Sequence, residues 1–390
     1  MARVGTSASR PDDPWDRLPA SGAWRPGDEP GNRHLITIAD GDPLPLEAGG
    51  TLGPVTVAYE TWGELNADRS NAVLVAHALT GDSHVSGPVG PGHPSPGWWD
   101  GIVGPGAALD ERRWFVVCPN VLGGCQGTTG PASLDAAGAP WGSRYPVITI
   151  RDQVAVEVAL ADQLGIDRWA AVVGGSMGGM RVLEWAVSAP DRVERAVVVA
   201  CGAATTAEQI ALCAIQAQAI RLDPGFAGGD YYDAKPGRGP GRGLGLARRL
   251  GHLSYRAELE LATRFDRSAQ AGEEPLAGGR YQVESYLDHQ ALKLATRFDA
   301  NSYLVLSRAM DHHDVGRARG GLEAALDGVT AEVTVAGVDS DRLYPIRLQR
   351  ELVGLLPGHP DLVTITSAVG HDGFLVEADQ VDAVVASALA

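Results

Sequence analysis

Seven short runs rich in valine and isoleucine constrain this chain more than any other feature. They are VTVAYETWG from Val55, AVLVAHA from Ala72, WFVVCPN from Trp114, AAVVGG from Ala170, AVVVAC from Ala196, EVTVAGV from Glu332 and LVTITSA from Leu362. Each is bounded by Gly, Asn, Asp or Pro, as strands are. Apolar runs without polar alternation suit parallel strands covered on both faces. Helical patterns lie between several of them, such as RDQVAVEVALADQLG from Arg151 and MRVLEWAVSAPDRV from Met180. This alternation predicts an α/β fold with a mostly parallel, doubly wound sheet.

The pattern changes after Cys201. From Ala203 to Leu326 the chain is rich in Ala, Leu and Arg with helical periodicity, broken by GFAGGDYYDAKPGRGPGRG. This stretch reads as a helical insertion, a lid or cap. The expected organisation is a flexible N-terminal arm over 1–30, a core over 31–202 and 327–390, and a helical lid over 203–326.

Bulk properties narrow the function classes. The chain has 390 residues, 44% of them hydrophobic, enough for a large core. It has no apolar run of about 18 residues, so no membrane span is expected. The first residues carry no apolar stretch of the signal-peptide kind, so secretion by that route is not expected. The four cysteines form no CxxC pair, which indicates neither zinc nor a disulfide framework and fits a reducing cytoplasm. A formal net charge of -16 argues against a nucleic-acid partner.

The strongest local signal is GGSMGG, Gly174 to Gly179, which matches G-x-S-x-G with Ser176 at its centre. It follows a strand-like run and precedes a helical one, the context a nucleophile elbow requires. The turn is sharp, so the flanking residues must be small. The serine then projects above the sheet, and the helix N-terminus behind it favours developing negative charge.

Serine is a weak nucleophile without a base. On such a sheet the partners follow in the order Ser, Asp or Glu, His. His371, in GHDGF, comes just after the last strand candidate, and Asp339 and Asp341 just after the one before it. Both loops fall at C-terminal strand ends, where this sheet type builds its site. Spacing alone does not separate Asp339 from Asp341. An oxyanion hole needs two backbone N–H groups. Met177, after the nucleophile, offers one, and Leu79, in HALTGDSH after an earlier strand, offers the other. His77 and His84 lack a carboxylate pattern beyond Asp82, so metal ligation is not expected there. DHHD at Asp311 reads as a solvated or packed helix cap.

Several stretches together resemble the homoserine O-acetyltransferase family. They are NAVLVAHALTGDSHV from Asn71, VLGGCQGTTGPAS from Val121, GGSMGGMRVLEWA from Gly174, ARRLGHLSYR from Ala247, RFDANSYLVLSRAMDHHD from Arg297 and GHDGFL from Gly370. The resemblance spans roughly residues 33–388. GGCQGTTGP and RFDANSYL are its specific parts, since a general esterase has no need of them. It implies an α/β-hydrolase core with a helical lid, and a homodimer packed through the lid helices. It also selects Asp341 as the triad acid, because the family pattern S-D-x-L-x-P matches Ser340 to Pro345. It places the family's lid arginine on Arg248 and its amine-binding aspartate on Asp372. Arg181 is a mild departure, since many relatives have Gln there, and the GRGPGRG segment at Gly237 is unusually basic.

The resemblance implies transfer of an acetyl group from acetyl-CoA, as co-substrate, to the hydroxyl of L-homoserine through an acyl-Ser176 intermediate. No bound cofactor or metal is implied. The product would be O-acetyl-L-homoserine, on the route to methionine, in the cytoplasm. Arg248 would grip the homoserine carboxylate and Asp372 its ammonium. A succinyl donor, a serine acceptor or simple ester hydrolysis would use the same motifs. A non-catalytic binding module commonly loses a triad member, and this chain has all three.

Overall fold

The computed structural model describes residues 13–390. All seven runs form strands, joined by an eighth. In chain order they are β1 His34–Ile38, β2 Val55–Trp62, β3 Ala72–Ala76, β4 Phe115–Pro119, β5 Ala171–Gly175, β6 Arg195–Val199, β7 Glu332–Val338 and β8 Leu362–Ile365. They make one sheet in the order β1-β2-β4-β3-β5-β6-β7-β8. From β4 to β8 every pairing is parallel. β2 runs antiparallel to both β1 and β4. The periodicity of VTVAYETW could not reveal that direction, because burial on both faces looks alike in either sense.

The helices of the core and insertion follow in order: α1 Ile150–Leu164, α2 Met177–Ser188, α3 Ala207–Arg221, α4 Gly241–Tyr255, α5 Glu258–Phe265, α6 Gln282–Ala295, α7 Ala300–Asp311, α8 Leu322–Asp327, α9 Ile346–Leu355, α10 Gly373–Val376 and α11 Ala378–Ala388. α1 starts at a reciprocal capping box between Thr149 and Asp152 and stops at Gly165, whose φ of 69° is left-handed. α1 and α2 cover one face of the sheet, where Trp169 and Trp185 meet edge to face at 6.4 Å. α11 covers the other face, in a cluster with Trp99, Phe374 and Val385. Every residue of β3 and β5 is buried between these layers.

α3 to α8 all lie between β6 and β7. α4 packs against both α3 and α6. Asp299, fully buried, ties this layer together: it accepts hydrogen bonds from Ser21 Oγ (2.7 Å), Tyr231 Oη (2.8 Å), Tyr232 Oη (3.1 Å) and the Ser302 amide (2.9 Å). Residues 1–12 of the segment read as an arm lie outside the described residues. Residues 13–22 are packed on the insertion. Gly237 N–H donates to the Leu18 carbonyl at 2.7 Å, and Arg242 pairs with Asp13 and Asp16 at 2.9 and 3.2 Å. The basic GRGPGRG segment is therefore partly neutralised by the chain's own N-terminal acids. Among the described residues, no helix is long and apolar enough to cross a membrane.

A buried charge network anchors β2 to the loop after β3. Glu60 accepts from Ser83 Oγ at 2.7 Å and from His84 Nδ1 at 2.9 Å. The His93 ring stacks on His84 at 3.8 Å, its Nε2 accepting from the Asn32 amide at 3.0 Å. Glu60, His84 and His93 lie close enough together to suggest a metal site. Their geometry opposes one. Imidazole lone pairs lie in the ring plane, and a metal between two nearly parallel stacked rings would sit well outside both planes. Burial alone would lower the His84 pKa, but Glu60 offsets it and holds it above 6.5. Burial would likewise raise Glu60, yet His84 and Ser83 hold it below 4.5.

The ion pair is thus fully formed between about pH 4.5 and 6.5. Its contribution fades as pH rises through the raised His84 pKa, and as pH falls through the lowered Glu60 pKa. Glu60→Gln should cost about 1.5–3 kcal/mol near pH 6, the scale of a hydrogen bond to a charged group. The urea midpoint should fall, and the difference from the wild type should narrow above pH 7. An unchanged midpoint at pH 6 would mean that the pair contributes nothing.

Candidate active site

The elbow takes the form its glycines require. Ser176 sits between β5 and α2 with φ 57° and ψ −124°, a conformation L-residues rarely adopt. The turn brings the start of α2 against the end of β3. A Cβ on Gly178 would lie 2.1 Å from the Ala76 carbonyl oxygen, and one on Gly174 2.7 Å from Gly178 itself. Neither position tolerates a side chain.

The structure brings Ser176, His371 and Asp341 into one line. His371 Nε2 is 2.9 Å from Ser176 Oγ, and His371 Nδ1 is 2.6 Å from Asp341 Oδ2. All three are buried. The other carboxylate oxygen of Asp341 accepts from the amides of Leu343 and Tyr344, both at 2.8 Å. Asp339 points elsewhere: it is exposed and accepts from the Ser367 amide at 3.1 Å. The geometry therefore separates the two acids that spacing left open. Burial alone would lower the His371 pKa, but the Asp341 carboxylate, and after it Asp372, hold it above 6.5.

A cleft of about 690 Å³ opens over this line. Leu79, Arg248 and Asp372 line it together with Ser176 and His371. Among the described residues, neither the Leu79 nor the Met177 amide donates to another protein group. Arg248 comes from α4, with its Nη1 3.3 Å from Thr80 Oγ1 and its guanidinium over the Tyr255 ring at 5.6 Å. Its Nε is buried without an acceptor. Asp372 meets a cation already, the Nε of Arg256 at 3.2 Å from its Oδ2.

Several neighbours were not found from the sequence. The Tyr344 ring stacks on His371 at 5.0 Å, and Phe374 meets it edge-on at 5.4 Å. Both stand inside the quoted motifs, so proximity to the triad was the available signal. Tyr255 ends α4 and Arg256 follows it, forming a short bridge to Gly370 beside the histidine. Nothing local in the sequence marks that pairing. His77 and His84 are not partners: His77 bonds to Ala78 and Val121, and His84 to Glu60. In DHHD, His312 follows α7 as its cap and His313 is packed against the Gly202 carbonyl at 3.0 Å. Cys118, Cys125 and Cys201 are buried, and burial pushes the Cys125 thiol up to about 12.

Residues 71–378 match the family described as alpha/beta hydrolase fold. The homoserine O-acetyltransferase of Thermobifida fusca (strain YX) is 61% identical over 96% of this chain and 98% of its own length. The chain belongs to the homoserine O-acetyltransferase family. It is an acyltransferase, with the α/β-hydrolase fold. Among solved structures, the homoserine O-acetyltransferase from Bacillus anthracis superposes with a TM-score of 0.82 at 30% identity, over 92% of this chain and 97% of that one. Esterase E22 superposes equally well, with a TM-score of 0.82 at 28% identity, over 92% of this chain and 99% of that one. The same backbone therefore accommodates a transferase and a protein named as an esterase.

A base must be neutral, so activity falls as pH drops through the His371 pKa, which lies above 6.5. Asp372→Asn removes one of the charges that raise it. The acidic limb of Ser176 acylation by p-nitrophenyl acetate should then move to lower pH. A limb that stays put, or moves up, would show that Asp372 does not act on His371. Asp341→Asn should reduce turnover by about 10⁴, the loss seen when a triad histidine is given the wrong tautomer. Asp339→Asn should lose far less, and equal losses would defeat the assignment.

Proposed function

We propose that this acyltransferase moves an acetyl group from acetyl-CoA to the hydroxyl of L-homoserine by a ping-pong mechanism. The observation that carries the reading is the Ser176–His371–Asp341 line, at hydrogen-bond distances, beneath a cleft that also holds one arginine and one aspartate. Ser176 Oγ passes its proton to His371 Nε2 and attacks the thioester carbonyl. The Leu79 and Met177 amides hold the oxyanion. The C–S bond breaks, and the CoA thiolate takes the proton from His371. The acceptor hydroxyl then gives its proton to His371 and attacks the acyl-serine. The acyl C–Oγ bond breaks, and Ser176 recovers the proton. Asp341 orients the imidazole and stabilises its cation throughout. No bound cofactor or metal takes part.

Homoserine is a zwitterion, and the cleft offers both signs of charge. Arg248 has an unpartnered buried Nε to offer its carboxylate. Asp372, already shared with Arg256, takes the ammonium. Water must be kept from the acyl-enzyme, and the helices of the insertion supply that cover. Those helices also expose Ile210, Ile215, Leu246, Leu253 and Leu259. Exposed apolar side chains on α3, α4 and the start of α5 support a homodimer packed through the lid. The product, O-acetyl-L-homoserine, would serve methionine biosynthesis in the cytoplasm.

Free CoA release should be followed with acetyl-CoA or succinyl-CoA, and with homoserine or serine as acceptor. Rapid release with acetyl-CoA and homoserine alone is the expected result. Faster turnover with succinyl-CoA or serine would reassign the substrates, and steady ester hydrolysis indifferent to acceptor would make the chain an esterase. Without acceptor, acetyl-CoA should add one acetyl mass to the Ser176 peptide, and Ser176→Ala should abolish it. Arg248→Met should raise the homoserine KM or slow deacylation by at least about tenfold, since an ionised hydrogen bond in a desolvated site is worth roughly 1.5–3 kcal/mol. Equal slowing of the acetyl-CoA half-reaction would make Arg248 a donor-site or structural residue.

A further inference from the structure

Arg181 is fully buried on α2, in the turn after the elbow. Its Nη1 bonds to Glu157 Oε1 on α1, and Glu157 Oε2 accepts from Trp185 Nε1 at 2.8 Å. Its Nη2 donates to the His77 carbonyl at 2.7 Å. The fork thus spans from the helix layer to the loop that carries Leu79.

That loop is held plane by plane. The His77 ring accepts from the Val121 amide through Nε2 at 2.9 Å, which leaves the proton on Nδ1. Nδ1–H donates to the Ala78 carbonyl at 2.8 Å, and the Gly81 amide donates to the same oxygen at 2.9 Å. The Ala78 carbonyl and the Leu79 N–H belong to one planar trans peptide, so they point in opposite directions. Holding the carbonyl against His77 and Gly81 turns the Leu79 N–H the other way. Leu79 lines the cleft beside Ser176. Burial, with the Arg181 charge beside it, pushes the His77 pKa down to about 3, so the ring keeps this neutral form.

We infer that Arg181 is a positioning residue for the oxyanion hole, locking the peptide planes on either side of Ala78 to the helix that carries the nucleophile. Met177, the other donor, is the first residue of the same helix. One rigid element then sets both N–H groups, Met177 directly and Leu79 through Arg181 and His77. The inference rests on the reading of Leu79 and Met177 as oxyanion donors. It does not depend on which thioester or acceptor the enzyme uses.

The test is therefore made with p-nitrophenyl acetate and an alkylboronic acid, which need only the serine, its base and the oxyanion hole. Removing Arg181 alone would strand Glu157, so the variant is Arg181→Met with Glu157→Gln. Its kcat should fall roughly 10- to 100-fold, somewhat less than the loss of a whole oxyanion donor. KM should change less than about twofold, and the boronate, whose tetrahedral adduct places an oxygen in the hole, should bind weaker by about the same factor as kcat. Arg181→Gln with Glu157→Gln restores a donor and should recover at least about fivefold of the lost kcat. His77→Asn removes the ring's bond to Ala78 without touching the Arg181 pair, and should show the same parallel loss should the first variant fail to fold. A lowered unfolding midpoint with kcat and boronate affinity both intact would overturn the inference, leaving Arg181 a packing residue. Failure of the functional reading looks different: ester cleavage that survives Ser176→Ala removes the serine mechanism, and ester cleavage without CoA release from acetyl-CoA removes only the donor.

Discussion

The left-handed backbone of Ser176 is the constraint from which the site is built. A non-glycine residue at φ 57° is strained by roughly 1–3 kcal/mol, and the surroundings must hold it there. They do so from both sides. β5 is pinned between β3 and β6 by parallel ladders that run through Gly174 and Gly175. α2 begins at once, is buried along nearly its whole length, and presses Gly178 against the Ala76 carbonyl. The turn cannot relax without separating α2 from β3. The strain is therefore a property of two close-packed layers rather than of one loop, and it leaves the hydroxyl where His371 can reach it.

The same economy explains the buried charges. Burying an ion is costly unless it is paired and fully hydrogen-bonded. This core holds two buried ion pairs near the site, Arg181 with Glu157 and Glu60 with His84. Each bridges a layer of the core to the loop between β3 and His84. Arg297 adds a third contact, donating to the Thr80 carbonyl at 2.9 Å. Apolar packing could stabilise these places as well. It would not orient carbonyls, and on the proposed reading of Leu79 as an oxyanion donor the loop needs its other polar groups held individually.

The six inner strands were legible because burial between two layers forces runs rich in Val and Ile, and the edge strand β8 was found with them. β1 escaped at the opposite edge: HLITI buries only Ile38 fully, and β8, no better buried, showed only through the Val and Ile of LVTITSA. The triad was legible through chain order and strand ends, since Ser176, Asp341 and His371 each lie in the segment after a strand. Asp341 was separable from Asp339 only through the family resemblance or through the folded loop, because both residues lie in the loop after the same strand. The pairs that cross the fold left no local trace. Glu60, His84 and His93 come from separate segments, as do Arg256 and Asp372, and no periodicity connects them.

The likeness to both a transferase and an esterase locates where the choice between acceptors must be made. In the proposed mechanism Ser176 and His371 exchange the same protons, with Asp341 orienting the imidazole, whether water or an alcohol attacks, so the triad cannot decide it. What distinguishes homoserine from water is charge at two points, and on the proposed reading the groups that would recognise it are Arg248 and Asp372, which line the same cleft as the triad. Arg248 belongs to α4, while Asp372 adjoins His371 on the core. The short bridge between Arg256 and Gly370 joins those two elements, with the Ala257 amide donating to the Val369 carbonyl at 2.9 Å. Gly370 permits it, since a Cβ there would lie 2.6 Å from both Ala257 N and the Tyr255 carbonyl oxygen. The backbone segments that follow α4 and precede His371 are thus tied by main-chain contact. On the proposed reading, an acceptor carrying both charges would be held at both ends beside the acyl-serine, whereas water would be held at neither.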